Sequence, residues 1–449
     1  MRSTSLLALS LSAAGALTLV AAVPASAATP AKITDVQAAA GPGVGEITIK
    51  FSSSNANTTG YQVKTGLTSF SSSESGRNSH VFSFPGHRSS VTLSADQVAA
   101  AGAAPATANH LYLRLSAVNG QATRAWPRLE AASPKPVAPK TSGTELRIAS
   151  FNVRTARATD DARPWLVRVP DVAREIDDHD PGIVALQELG PGRADGETGS
   201  TNGTPRQTDS LLTALAKIGA SRYELVRTTP YNAPGTPHAT QGARILYDTT
   251  RYSLLSDCPE KTGKKSWNGS CSFDLPVLDS EGAKARRSAA YAEFADKSTG
   301  KRFFVVSTHM DQRHGTTAAK EAKYEQLRRD SAAKINSVME SVNPKDEEVI
   351  VAGDFNSYQV KVVGNAPHDY LVDRGYYDTA AAQTTTNLEY PTVNHFDPVL
   401  KQGGRGYGAR IDVILVKGTQ GARSFEIVVK PVDSARASDH NMVVSEIVL

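Results

Sequence analysis

Hydrophobic and polar positions follow two different rhythms along this chain. Between residue 31 and about residue 130 they alternate in short runs: Ile47-Thr48-Ile49-Lys50-Phe51, Tyr61-Gln62-Val63-Lys64 and Leu111-Tyr112-Leu113-Arg114-Leu115. A period of two puts successive side chains on opposite faces of a strand, and clusters of Ser, Asn and Gly separate the runs, so this part predicts a small all-β sandwich. After residue 142 the runs become uniformly apolar, with strands predicted at Leu146–Phe151, Ile183–Leu186, Arg302–Ser307, Glu348–Ala352, Arg410–Val416, Phe425–Val429 and Met442–Val448. Helical stretches fall between them, near Pro170–Asp177, at Thr208–Ile218 with Gly219 as a stop, and at Ala318–Ser341, which has few apolar positions. Buried strands alternating with helices predict an α/β layered domain of roughly three hundred residues.

The boundaries follow from composition. Arg2, an apolar run from Leu6 to Val23 and Ala25-Ser26-Ala27 read as a secretory signal peptide over residues 1–27. A membrane anchor is the alternative, against which stand the Ser, Gly and Thr within the run and Pro24 directly after it. The β-sandwich then occupies 28–130, a Pro-rich linker 131–143, and the layered domain 144–449. No later stretch reaches the roughly 20 apolar residues of a transmembrane helix, so a secreted, soluble, monomeric protein is expected.

Charge adds little by itself. The chain holds 49 Lys and Arg against 45 Asp and Glu, too even a balance to announce a nucleic-acid partner. The excess sits early: ten basic against five acidic residues from 28 to 140, leaving 38 basic and 40 acidic residues beyond. Two cysteines exclude a disulfide-built scaffold and a cysteine-rich zinc site. In an oxidising compartment Cys258 and Cys271 can close the polar segment 259–270 as a disulfide loop; two buried free thiols are the alternative.

The candidate chemistry lies where the apolar strands stop. The first ends at Asn152, the second at Gln187-Glu188, the third at Ser307-Thr308-His309, and the fourth at Gly353-Asp354-Phe355-Asn356. Strand ends of one layered fold converge on a common cleft. Oxygen donors from Asn and Glu suit a hard cation, Mg²⁺ first, with Mn²⁺ or Ca²⁺ as further possibilities. Asp412 lies inside an apolar strand, where a carboxylate is costly unless paired, and Ser438-Asp439-His440 supplies an imidazole before the last strand. An Asp holding a His is an acid–base arrangement.

Two resemblances follow from these motifs. The stretch 111–120, Leu-Tyr-Leu-Arg-Leu-Ser-Ala-Val-Asn-Gly, resembles the penultimate strand and turn of fibronectin type III domains. The set Ser-Phe-Asn-Val-Arg (150–154), Leu-Gln-Glu (186–188), Ser-Thr-His-Met-Asp (307–311), Gly-Asp-Phe-Asn-Ser (353–357), Arg-Ile-Asp-Val-Ile (410–414) and Ser-Asp-His (438–440) resembles the endonuclease/exonuclease/phosphatase superfamily. That second resemblance implies a four-layer α/β sandwich like that of pancreatic DNase, and metal-dependent hydrolysis of a phosphoester.

It also implies roles. Asn152 and Glu188 would hold the metal, with Asp439 near it or on a second site. Asp354 and Asn356 would orient the attacking water and a phosphate oxygen. His309 would hydrogen-bond the phosphate, and His440, oriented by Asp412, would serve as acid–base or transition-state stabiliser. Arg287 matches an arginine that stands before the next strand in some secreted branches and can contact substrate phosphate; a solvated basic turn is the alternative. Asp311 resembles a position used in some branches.

Two departures stand out. Asn441-Met442 replaces the usual x-Pro after Ser-Asp-His, and Tyr247-Asp248 is the nearest match to a tyrosine–acid pair of pancreatic-type DNase. The latter reads better as the end of a structural strand. Three readings fit: hydrolysis of DNA or RNA, hydrolysis of a lipid head-group or small organic phosphate, for which the sequence shows no membrane-docking aromatic hairpin and only Trp267 is suggestive, or a protein that only binds. The intact residue set argues against the last.

Overall fold

The computed structural model of the protein describes residues 27–449 apart from 72, 158–162, 198, 200, 202, 227–241, 259–270, 279–286 and 362. Residues 1–26 of the expected signal peptide, Trp267, and Lys284 and Arg286 before Arg287 lie outside the described residues.

The N-terminal part packs two antiparallel sheets. Its strands are β1 (Ile33–Ala40), β2 (Ile47–Ser53), β3 (Gly60–Gly66), β4 (His80–Pro85), β5 (Ser90–Leu93), β6 (Leu111–Asn119), β7 (Ala122–Ala125) and β8 (Glu130–Ala132). One sheet runs β1-β2-β5 and the other β4-β3-β6-β7, with β8 on the far part of β6. The alternation seen in the sequence decides what is inside: Ile47, Ile49, Phe51, Tyr61, Val63, Leu111, Leu113 and Leu115 form the core. A single-turn helix, α1 (Ala95–Ala100), starts at a capping box between Ser94 and Gln97.

The C-terminal part begins with β9 (Glu145–Asn152), helix α2 (Trp165–His179), β10 (Ile183–Gln187), helix α3 (Gln207–Lys217), β11 (Tyr223–Leu225) and β12 (Arg244–Asp248). It continues with β13 (Tyr252–Leu254), β14 (Ser272–Asp274), β15 (Ser288–Asp296), β16 (Arg302–His309), helix α4 (Ala318–Val342) and β17 (Glu348–Asp354). Helix α5 (Ala366–Val372), β18 (Tyr376–Asp378), β19 (Thr384–Thr386), β20 (Asp412–Lys417), β21 (Ala422–Ile427) and β22 (Val443–Val448) complete it. Two sheets result, in the orders β11-β12-β10-β9-β22-β21-β19 and β13-β15-β16-β17-β20-β18.

Three apolar layers hold these elements together. Ile148, Ile183, Phe294, Phe303, Ile350, Ile414 and Phe425 fill the space between the sheets. Val172, Ile176, Leu211 and Leu215 of α2 and α3 cover the outer face of the first sheet. Ile335 and Met339 of α4, with Leu371 of α5, cover the second. The order is helix, sheet, sheet, helix, the expected four-layer α/β sandwich. Among the described residues no helix is long and apolar enough to cross a membrane.

Two differences from expectation have clear causes. Helix α2 starts at Trp165, five residues before Pro170. A proline reads as a helix start because its missing N–H costs nothing there, but here it sits on the exposed face of an established helix. The nine-residue β15 was not foreseen: its small residues Ala289, Ala290 and Ala292 carry a weak apolar signal, yet all three are buried against β16. Cys258 and Cys271 form a disulfide, with Cα atoms 5.6 Å apart.

Candidate active site

Register alone gathers most of the predicted side chains at one end of the double sheet. On the parallel pair β9/β10, Asn152 stands opposite Gln187, which places Glu188 just beyond. On the other sheet His309 stands opposite Asp354, and Asp354 opposite Asp412. His440 precedes β22, whose Val443 pairs with Ser150, so the imidazole arrives beside Asn152. Both sheets present these ends to the same side because buried polar contacts tie them there: Ser307 Oγ donates to the Leu186 carbonyl (2.9 Å) and Gln187 Nε2 to Ser307 Oγ (3.4 Å).

The side chains then form one chain of contacts. Asn152 Nδ2 donates to Glu188 Oε1 (3.3 Å) and to Asp354 Oδ2 (3.1 Å). The same Asp354 oxygen lies 3.4 Å from His309 Nε2 and 3.9 Å from His440 Nε2. His440 Nδ1 bonds Asp412 Oδ2 at 2.9 Å. Asn356 donates its backbone N–H to Asp354 Oδ1 (2.9 Å) and its amide to the Met310 carbonyl (3.1 Å). Glu188 and Asn356 hold left-handed backbone conformations, as does Arg154. Strain at three non-glycine positions around one cleft is a mark of a functional site. Gly353 is required for close packing: a Cβ there would lie 2.0 Å from the Thr308 carbonyl oxygen.

Electrostatics separates the two histidines. Burial pushes His309 well below its ordinary range, and the nearby Arg287 guanidinium adds to the effect. Arg287 Nη1 points at His309 Nδ1 (3.2 Å). A guanidinium only donates, so Nδ1 is the accepting nitrogen and the proton sits on Nε2, facing Asp354. Burial also opposes charge on His440, but the carboxylates of Asp412, Asp354 and Asp439 outweigh it and raise the imidazole to about 10. Burial, with Asp412 close by, raises Asp354 to about 7. The site therefore holds a neutral imidazole, an imidazolium and a carboxyl group poised near neutrality.

The metal reading can be tested on these donors. Asp354, Asp412 and His440 offer atoms within 4.8 Å of one another. His440 Nδ1 is already bonded to Asp412, so this trio fits proton chemistry better than ligation. Glu188 and Asp354 instead converge on Asn152 Nδ2, whose Oδ1 accepts from the Arg154 N–H (3.1 Å); two carboxylates beside an amide in a buried pocket suit a hard divalent cation. Asp412 Oδ1 is buried without a hydrogen-bond partner. Asp439 turns its carboxylate to Arg154 (3.4 Å), so it flanks the Asn152–Glu188 pair.

Other predicted residues are placed as follows. Arg287 is buried behind His309 and bonds Gln312 on its other side. Asp311 chelates the Arg313 guanidinium. Tyr247-Asp248 ends β12, which runs antiparallel to β10, so the pair sits at the opposite end of the sheet. The missing proline is replaced by hydrogen bonds: Asn441 donates to the carbonyls of Thr392 (2.8 Å) and Pro391 (2.9 Å).

The loop at 391–395 was invisible in the sequence. Thr392 Oγ1 accepts from the N–H groups of Ile411 and Asp412, and Asn394 donates to the Asp439 carbonyl. Arg168 was also missed. It is fully buried and bonds the carbonyls of Val153, Arg154 and Ala437, locking two site loops together. An arginine on the apolar face of α2 was its only signal.

The model of the Endonuclease/Exonuclease/phosphatase family matches residues 149–440. The chain belongs to that family. The match opens inside β9 and closes on His440, spanning the whole constellation. Solved structures similar to this chain include an endonuclease/exonuclease/phosphatase from Bacteroides vulgatus (24% identity, 68% of this chain and 98% of that one, TM-score 0.47). Others are a mannosyl-6-phosphatase from Bacteroides thetaiotaomicron (23%, 68% and 100%, 0.47) and the human Nocturnin catalytic domain with bound sulfate (15%, 67% and 93%, 0.42). No curated protein matches this chain.

Proposed function

We propose that this family member is a secreted, monomeric, Mg²⁺-dependent phosphodiesterase acting on nucleic acid, with a fibronectin type III-like module over 28–130, a linker over 131–143 and the catalytic domain over 144–449. The observation that carries the reading is the contact chain Glu188–Asn152–Asp354–His440–Asp412, with His309 on the same Asp354 oxygen. Export is supported by the signal-like N-terminus and by a disulfide, which persists in oxidising compartments. Arg154 and Arg313, on loops leaving two strand ends, suit a polyanion.

The residues divide the work by their protonation. Asp354, raised to about 7 by burial and by Asp412 beside it, orients a water through one oxygen and takes its proton, while Asn356 fixes the other oxygen. His309 Nε2–H donates to a non-bridging phosphate oxygen, with Arg287 maintaining that tautomer. The His440 imidazolium, held by Asp412, stabilises charge on the phosphoryl group and protonates the departing oxygen. Asn152 and Glu188 would hold the cation, which supplies polarisation of the phosphoryl group and charge neutralisation.

A panel of supercoiled DNA, RNA, sphingomyelin, inositol phosphates and bis(p-nitrophenyl) phosphate, each with Mg²⁺ and with chelator, tests this reading. Nicked plasmid, lost on chelation, is expected. A lipid head-group or small-phosphate substrate is the second reading, favoured by the near-neutral charge beyond residue 140. Released phosphocholine or orthophosphate with intact plasmid selects it, and no turnover with any divalent cation selects a binding role.

A further inference from the structure

The loop that follows Asp354 is clamped from two sides, and one side is the N-terminal module. Five residues after Asp354, the Gln359 amide donates to the carbonyls of Leu67 (3.0 Å) and His110 (2.7 Å) and accepts from the His110 N–H (3.0 Å). The module thus reads this side chain as a missing strand partner would, satisfying three of its own backbone groups. Arg77, also of the module, donates to the Gln359 carbonyl. The next residue, Val360, packs into a small cluster of Phe70, Tyr112 and Leu129, all module residues. A few residues away His110 stacks on Tyr407 of the layered domain, ring centres 3.9 Å apart.

The other side of the clamp is α4. Ser357 Oγ donates to Glu325 (2.8 Å), and Lys361 Nζ donates to Glu321 (3.0 Å), Glu325 (3.1 Å) and the Asn356 carbonyl (2.9 Å). Arg328 joins both glutamates and holds the Asp311 and Arg313 carbonyls of the loop after His309. Alternate contacts therefore face alternate supports: 357 and 361 are gripped by α4, 359 and 360 by the module. A segment of five residues fixed at four of them has little freedom left, and Asn356 with its left-handed backbone stands at its root.

We infer that the N-terminal module is a positioning element for the catalytic loop, with Gln359 as the residue through which it acts. A module tethered only by its linker would have no reason to take up a half-buried amide and satisfy it on both polar atoms. The consequence for chemistry is geometric: loosening the loop lets Asn356 and the Asp354 carboxyl drift, and displacements of about 1 Å at a reacting centre cost up to ~10²-fold in rate. This inference rests on the phosphodiesterase reading for its kinetic half only.

The test uses the full chain with Gln359→Leu, which keeps the volume and removes all three side-chain hydrogen bonds. Amide hydrogen exchange over 355–361 is measured beside hydrolysis of bis(p-nitrophenyl) phosphate with Mg²⁺. Exchange about tenfold faster in that segment and kcat about tenfold lower, with KM within about twofold and Tm of the layered domain little changed, are expected. Arg77→Ala provides a second variant that loosens the same clamp through the Gln359 carbonyl, and the two effects should be less than additive. Exchange of 355–361 identical to that of the parent overturns the inference whatever the activity. Faster exchange with unchanged kcat overturns it too, because the loop's order would then be irrelevant to turnover. A parent protein without turnover sinks the phosphodiesterase reading alone, and the exchange result still decides whether the module holds the loop.

Discussion

Both ends of the layered domain carry charge and use it in opposite ways. At the far end from Glu188 lies a cavity of about 560 Å³ lined by Glu145, Arg147, Arg251, Asp296, Lys297, Arg423 and Glu446. There the charges are satisfied: Arg147 pairs with Glu446, Arg423 with Glu145, and Arg251 with Asp180 and Asp248, while Asp296 accepts from Ser298 and Thr299 and Lys297 donates to the Thr249 carbonyl. At the other end Asp354 and Asp412 face each other across β17 and β20, and Asp412 keeps one oxygen without a partner. Neutralised charge stabilises a fold, and crowded like charge costs stability unless a proton or cation relieves it. Volume is therefore the wrong guide here; charge frustration marks the site.

If that contrast holds, changes at the frustrated end should cost rate and little stability. The largest effect is expected for His440→Ala, about 10³-fold lower kcat with unchanged circular dichroism. Full residual activity would remove His440 from the chemistry. Asp412→Asn keeps the hydrogen-bond geometry but weakens the hold on the imidazolium, so kcat should fall about 10²-fold. An unchanged rate would show that the pair is structural.

Paired clusters should show the reverse. His368 is buried between Asp378 and Asp369; burial opposes its charge, but the carboxylates prevail and raise it to about 9. A histidine raised above its unfolded value of about 6.5 contributes fully below that pH, and the contribution disappears as pH rises through about 9. His368→Gln should thus lower stability by at most on the order of 3 kcal/mol at pH 6 and by progressively less towards pH 9.5, read from urea unfolding at each pH. A constant difference across that window would contradict a charged His368. The smallest effect belongs to the far end: Asp248→Asn weakens the shared contact of Arg222 and Arg251, which keep Asp177 and Asp180, and should cost about 2 kcal/mol with kcat within about twofold. A large loss of activity there would erase the distinction between the ends.

How much of this was legible beforehand differs by residue. Asn152, Glu188, His309 and Asp354 could be found because each interrupts an apolar run, and a buried strand that ends in a polar group needs a reason to do so. Asp412 was legible as a charge inside an apolar run, although the strand itself begins at that residue. Arg287 was legible as a residue but not in its contacts: only the pairing of β15 with β16 brings it behind His309. Thr392, Asn394 and Arg168 gave almost no local signal, because they hold backbone groups of segments far away in sequence.

The amino-acid order alone determined the two rhythms, the strand ends and the residue types waiting at them, because periodicity and the cost of burying polar groups act locally. Tertiary structure decided everything that depends on pairing across the chain. It chose which histidine is neutral and which charged, since that depends on Arg287 and Asp412, 22 and 28 residues away in sequence. It also laid the N-terminal module against the catalytic loop, a contact spanning 249 residues between His110 and Gln359 that no local pattern can encode.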